Sequence, residues 1–185
     1  MNAFGADVKG YKGKNTHVDL FVGSELAPRF FGWGIPTGPN EGRIGIATTL
    51  PHKPMPFFRD YFLKGAPSKL LGGAKIINLI SGLIPFGVAS PSYTDNIILT
   101  GDAAGMAKPT SGGGIYSGLI SADAAFEVAS KALNSGNLSS ANLSEYQALI
   151  VNRIGGELTK GSYLRKAFLS LNDNQLAEIL SLIHI

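Results

Sequence analysis

The chain has no cysteine, which excludes a disulfide-built fold, a thiol nucleophile and a thiolate-ligated zinc or iron–sulfur site. Charge is scarce as well. Asp, Glu, Lys and Arg make up 16% of the 185 residues, and a formal net charge of +3 is too small to call for a nucleic-acid partner. The basic residues are scattered, 10 against 6 acidic before position 100 and 6 against 7 after it. The slight positive excess of the first half gives at most a weak attraction to anionic lipid or phosphate. No apolar run reaches the roughly 20 residues a bilayer span needs. The nearest, Ile76 to Val88, is broken by Asn78, Ser81, Gly82, Pro85 and Gly87. Met1 to Lys14 has no apolar centre and carries Asp7, Lys9, Lys12 and Lys14, so it is no signal peptide, and the expected compartment is the cytoplasm. What is present suffices for a core: 44% of residues are apolar, enough for one domain or parts of two and against disorder.

Met1 to Lys14 reads as Gly- and Lys-rich, with no strand before Thr16. His17 to Val22, Phe30 to Ile35 and Arg43 to Thr48 are rich in strand formers, and the last two pair antiparallel across a turn at Thr37 to Gly42. Glycines between the aromatics of Phe30 to Ile35 suggest close approach of a ligand or another backbone. After a Pro-rich connector, Phe57, Phe58, Tyr61 and Phe62 give a short amphipathic helix ending at Gly65. Ile76 to Ile84 fits a buried strand, and Ile97-Ile98-Leu99, after the turn residues Tyr93 to Asn96, fits another. Ile115, Leu119, Ala122, Phe126, Ala129 and Leu133 then recur at helical spacing up to a stop at Asn134 to Asn137. A second helix starts near Ser144, with a buried stripe of Tyr146, Ile150, Ile154, Leu158, Leu164 and Phe168 and a weak point at Gly155-Gly156. Asp173 is placed to cap a last short helix.

The chemistry concentrates in Ile97 to Ala125. A strand ends at Thr100, Gly101-Asp102 follows, Ala103, Ala104 and Gly105 stay small, and Pro109 precedes Gly112-Gly113-Gly114 at a helix start. A carboxylate at a strand end can accept hydrogen bonds from a sugar-alcohol hydroxyl, and small residues let a flat ring approach the backbone. The free N–H groups of the helix end favour an anion, such as a reduced flavin. A phosphate-binding P-loop is not matched, because Ile115-Tyr116 stands where Lys-Ser/Thr belongs, and the gap from Gly101 to Gly112 is too long for a dinucleotide fingerprint. Apart from any ligand, a Gly-rich strand-to-helix turn that binds nothing also accounts for the pattern.

The run GDAAG…KPTSGGGIYSGLISADAA closely resembles the second flavin-binding motif of the geranylgeranyl reductase family, within the FAD enzymes similar to p-hydroxybenzoate hydroxylase. The resemblance implies an FAD cofactor, with Asp102 of the Gly101-Asp102 pair on the ribityl or ribose hydroxyls. Pro109, Gly112, Gly113, Gly114 and Ile115 would lie along the isoalloxazine ring. Pro28 to Pro36 (PRFFGWGIP) is similar to the family's P-x-x-Y-x-W-x-F-P strand of the substrate cavity, with Phe31 in place of Tyr and Ile35 in place of Phe. It implies Phe31, Trp33 and Pro36 as substrate-binding residues, with an apolar wall kept and a hydroxyl lost; ordinary core packing of Phe31 and Trp33 is the competing reading.

The match runs from about Val18 to about Ile179, and no Gly-x-Gly-x-x-Gly unit is found for the ADP half of the cofactor. The expected class is α+β, part of an FAD-binding α/β fold: an antiparallel substrate-domain sheet, then a strand, Gly-rich turn and helix, then C-terminal helices. The divisions expected are 1–90 for an incomplete substrate-binding sheet domain, 91–136 for the end of the FAD domain and 137–179 for terminal helices. Residues 180–185 (LSLIHI) read as the in-frame translation of a sequencing-library adapter, so His184 is not counted as functional. The implied activity is FAD-dependent reduction of isoprenoid carbon–carbon double bonds in membrane-lipid biosynthesis, here as a fragment expected to be inactive alone. Implied partners are an isoprenoid lipid, an electron donor of reduced-nicotinamide or ferredoxin type, and a membrane surface touched peripherally. A flavin monooxygenase of the same fold and a non-catalytic lipid- or protein-binding fragment are the alternatives. Tyr116 and the histidines could donate a proton on side-chain chemistry alone, and none is assigned; no metal site is expected.

Overall fold

A computed structural model describes residues 1–182. The strands are β1 (Asn2–Lys9), β2 (Asp19–Val22), β3 (Phe31–Gly38), β4 (Glu41–Thr48), β5 (Lys75–Leu83), β6 (Tyr93–Thr94) and β7 (Ile97–Ile98). The helices are α1 (Pro54–Phe57), α2 (Ser68–Leu71), α3 (Ile115–Ser135), α4 (Ser140–Leu143), α5 (Glu145–Ile150), α6 (Gly156–Leu169) and α7 (Asp173–Leu182). This is an α+β chain that divides into two compact units, Met1–Leu83 with the segment from Leu171 onward, and Ile84–Ser170.

The first unit is a five-stranded antiparallel sheet in the order β2-β3-β4-β1-β5. Its core covers one face, where Ala6, Val8, Ile44 and Ile46 meet Phe58 and Phe62 of the π-helical turn that continues α1. Burying each of the larger side chains is worth about 1.5–3 kcal/mol. Gly32 and Gly34 of β3 face this core. A Cβ at Gly32 would stand 2.8 Å from Phe62 Cε2, and one at Gly34 would collide with the Tyr11 hydroxyl. The close approach expected at these glycines is therefore made by the protein's own Phe62 and Tyr11.

Three expectations for this unit are corrected. Met1 to Lys14 contains β1, an interior strand between β4 and β5. Its alternation is carried by small residues, Ala6 and Val8 inward and Asp7 and Lys9 outward, so composition hides it. Residues 76 to 83 do form a strand, but β5 is the sheet edge and all nine of its residues are exposed. Asp173 does not cap its own helix: its carboxylate accepts from Ser24 N and Oγ (3.1 and 2.8 Å), while Asn172 Oδ1 accepts from Gln175 N and Gln175 Oε1 accepts from Asn172 N. Asn172 and Gln175 thus form the reciprocal cap at the start of α7. Of the suspected adapter segment, Leu180 to Leu182 complete α7, and 183–185, with His184, lie outside the described residues.

The second unit packs α3 against α4, α5 and the turn after β7 around Val128, Leu143, Tyr146, Ile150 and Ile154. Helix α3 ends on Gly136 at φ +67°, as its Gly-rich stop requires. The buried face, however, is the small one: Ser117, Ser121, Ala124, Val128 and Ala132 point inward, while Leu119 and Phe126 are 67% and 73% exposed. Of the second helical stripe, Tyr146, Ile150, Ile154 and Leu158 are buried and Leu164 is exposed. The weak point at Gly155-Gly156 becomes a π-helical turn, Val151–Gly155, separating α5 from α6. Ile97 to Leu99 is no buried strand but one arm of a two-residue hairpin with β6, and Ile97 is exposed.

Candidate functional site

The turn between β7 and α3 is held from behind by buried hydroxyls. Tyr146 Oη donates to the Leu99 carbonyl at 2.7 Å, and burial pushes this phenol up to about 12. Ser121 Oγ accepts from Gly101 N (3.0 Å) and donates to the Gly118 carbonyl (2.9 Å), tying the start of the turn to α3. The chain does not leave this point as a strand. Gly101, at φ +53°, opens a 3-10 turn, Gly101–Ala104, that swings Asp102 toward the α3 N-terminus. There its carboxylate packs on Gly114, where an added Cβ would stand 2.6 Å from Asp102 Oδ1. Gly114 is the N-cap of the 21-residue α3, and no side chain caps it. A carboxylate beside uncapped helical N–H groups is electrostatically favourable, and so is any other anion placed there.

The segment between the two glycine turns closes on itself. Lys108 N donates to the Gly113 carbonyl at 2.9 Å, and Gly112 N, with Gly112 at φ +71°, donates back to the Lys108 carbonyl at 2.8 Å. Met106, Ala107 and Pro109 are buried under this ring, while Thr110, Ser111, Gly113 and Ile115 are exposed. A Cβ at Gly113 would meet only Ser111 Oγ, at 3.3 Å. That neighbour is a small exposed side chain that can turn aside, so the packing does not by itself demand glycine at this exposed position. The exposed glycine backbone, the carboxylate and the uncapped helix end thus lie side by side: the carboxylate can accept hydrogen bonds from hydroxyls, and the helix end favours negative charge. Gly101, Asp102, Pro109, Gly112, Gly113, Gly114 and Ile115 are thus one contiguous structure, Pro109 buried beneath and the others at or near its surface. Tyr116 is exposed on the first turn of α3, with the Lys108 ammonium 4.8 Å from its ring centroid.

Phe31, Trp33 and Pro36 lie on β3 in the first unit, and Phe31 and Trp33 point to the sheet face away from its core. Phe31 stacks on Phe30 at 4.2 Å and meets Trp33 edge-on at 6.3 Å. Trp33 lies across Gly45, where a Cβ would stand 2.5 Å from its Cζ2. In the same cross-strand row follow Gly5 and Ile80, and with Trp33 they border an apolar hollow of about 60 Å³. Phe31, Trp33 and Pro36 are half-buried, so they are neither lost in the core nor fully solvated. In the next row Arg43 Nε donates to Asp7 Oδ1 at 2.8 Å, and this bond holds the Asp7 carboxyl below its usual range. Asp7, Arg43 and Ser121 escaped the sequence reading because their partners are 36 and 20 residues away in the chain. Among the described residues no group of His, Asp and Glu is placed to hold a metal ion.

No protein-family profile matches the chain. Curated relatives do. Digeranylgeranylglycerophospholipid reductase 2 of Methanococcoides burtonii is 30% identical over 176 residues, 90% of this chain and 42% of that protein. The chain is similar in sequence to the geranylgeranyl reductases over most of its own length. It spans about two fifths of the length of the curated reductases it matches. A geranylgeranyl bacteriochlorophyll reductase-like protein from Thermoplasma acidophilum shares the fold with a TM-score of 0.86 at 23% identity, covering 97% of this chain and 46% of that one. A flavin-dependent brominase also shares it, with a TM-score of 0.64 at 18% identity over 98% of this chain and 49% of the brominase. Likeness to the geranylgeranyl reductases is thus carried by sequence and fold alike, and likeness to the brominase by fold alone.

Proposed function

We propose that the chain supplies the cofactor-facing turn and the substrate-facing sheet of an FAD-dependent reductase acting on carbon–carbon double bonds of isoprenoid membrane lipids. The observation that carries this reading is the exposed Gly113 of the triple-glycine turn, beside Asp102 at the uncapped N-terminus of α3. Homology to digeranylgeranylglycerophospholipid reductases supports the choice of substrate class.

A bound FAD, once reduced by the electron donor, would supply hydride to one alkene carbon while a proton reaches the other; the protein contributes binding, orientation and a dry surface. Asp102 accepts hydrogen bonds from the cofactor's hydroxyls. The bare backbone at Gly113 admits the ring, and the helix end of α3 favours negative charge on it. Ile115, 84% exposed, offers an apolar edge beside the ring. Phe31, Trp33 and Pro36 offer the isoprenoid chain an apolar wall without hydrogen-bonding demands. The electron donor is of the reduced-nicotinamide or ferredoxin type, and the setting is cytoplasmic with peripheral membrane contact. No helix among the described residues is long and apolar enough to cross a membrane.

The test is product analysis with the complete reading frame that encodes this chain, reduced anaerobically with dithionite in the presence of a geranylgeranyl lipid. Saturated product without oxygen supports the reductase. Turnover that appears only with oxygen, giving an oxygenated product, would assign the protein to the monooxygenases instead.

A further inference from the structure

One face of α6 grips the cofactor-facing turn at two consecutive residues. Glu157, Gly161 and Arg165 are spaced four apart, so they form a single ridge along the helix. Glu157 Oε1 pairs with Lys108 Nζ at 2.6 Å. Gly161 receives the Pro109 ring, whose Cδ would stand 3.3 Å from an added Cβ. Arg165 is 7% exposed, donates from Nη1 to the Pro109 carbonyl at 3.2 Å, and lies over the Phe86 ring with Cζ 5.0 Å from its centroid. A buried guanidinium is costly unless its contacts are well made, so a fixed charge here is a strong constraint on whatever it holds.

The gripped residues are the ones that close the turn. Lys108 exchanges both of its backbone hydrogen bonds with Gly112 and Gly113, so fixing Lys108 and Pro109 fixes the glycine turn and the first residues of α3. We propose that the Glu157–Gly161–Arg165 ridge is a clamp that sets the position of the Gly112 to Gly114 main chain before any cofactor arrives. These three are positioning residues, acting through Lys108 and Pro109. The inference rests on the proposed flavin site only for what the turn holds; the clamp itself is a property of the chain alone.

Hydrogen exchange of the chain without flavin tests it, read at the amides of Lys108, Gly112 and Gly113 against those of α3 beyond Leu119 and of β1 to β4. Glu157→Gln removes an exposed charge without touching the core, and Arg165→Lys keeps the charge but loses the planar fork. Arg165→Lys is expected to speed exchange in the turn about tenfold, and Glu157→Gln, which weakens a half-exposed pair, about two- to fivefold, with the reference amides unchanged. The swapped pair Lys108→Glu with Glu157→Lys is expected to restore protection. Should Arg165→Lys fail to fold, Glu157→Gln and its rescue decide alone. Unchanged exchange in the turn of folded Glu157→Gln overturns the clamp, as does an equal rise at the reference amides. Failure of the complete protein to bind flavin would remove the proposed function and leave this result standing.

Discussion

Gly113 and Gly114 are neighbours in sequence and answer to different partners. An Ala at Gly114 presses on Asp102 Oδ1, so Gly114→Ala is expected to destabilise by about 1–3 kcal/mol and to push the carboxylate aside. Gly113→Ala meets no such obstacle and is expected to stay within about 0.5 kcal/mol in denaturant unfolding, while weakening cofactor binding in the complete protein. Equal losses of stability in the two variants would contradict this division of roles. Ser121 carries a third expectation. Removing its hydroxyl leaves the Gly101 N–H without its acceptor, and Ser121→Ala should cost about 1–3 kcal/mol by urea titration. An unchanged midpoint would show that Ser121 does not hold the turn. At this scale the sequence speaks through motifs: Asp102 and the triple glycine are recognisable because their spacing matches a known pattern. Ser121 is not, because a serine within a helix is unremarkable until its partner across the fold is known.

Elements were legible where periodicity and stop signals agree, as in α3 with its Gly136 terminus, β3 with β4 around Asn40, and the break at Gly155-Gly156. Faces were less so. The face that α3 turns toward α5 and the Gly101 turn carries serine, alanine and valine, with Ser121 bonded to Gly101 N, and the apolar stripe lies on its exposed side. Strand β1 was hidden by its small residues, and the apolar run of β5 marks a sheet edge rather than a buried strand. Tyr146, which ties α5 to the residue before the turn, gives an element-scale test in pH. Its phenol is raised from 10.0 to about 12 by burial, so the fold favours the neutral form. The stability this contributes is full below about pH 10 and is lost as pH rises through about 12. Tyr11 is raised likewise to about 12, first by burial and then by the Asp19 charge. Stability measured by urea unfolding across that window should fall in the native chain and fall less steeply in Tyr146→Phe. An identical alkaline slope in both would mean that Tyr146 ionises as freely in the fold as out of it.

At the scale of the whole molecule, each unit has its own core, and apolar surface remains on α3 and β5. Exposed stripes of this kind promote association. Leu119→Lys with Phe126→Lys should lower light scattering at high concentration and leave the melting temperature within about 2 °C; a larger drop would mean that the stripe is packed in solution. The central claim is that the main chain from Thr100 to Tyr116 lies against a flat redox ring. Its most direct test is the visible spectrum, affinity and reduction potential of the cofactor in the complete protein, native against Gly113→Leu. The account predicts loss of the bound yellow cofactor or at least about tenfold weaker binding, with a shifted potential and intact folding. A folded Gly113→Leu protein that keeps its cofactor at the native affinity and potential would contradict it.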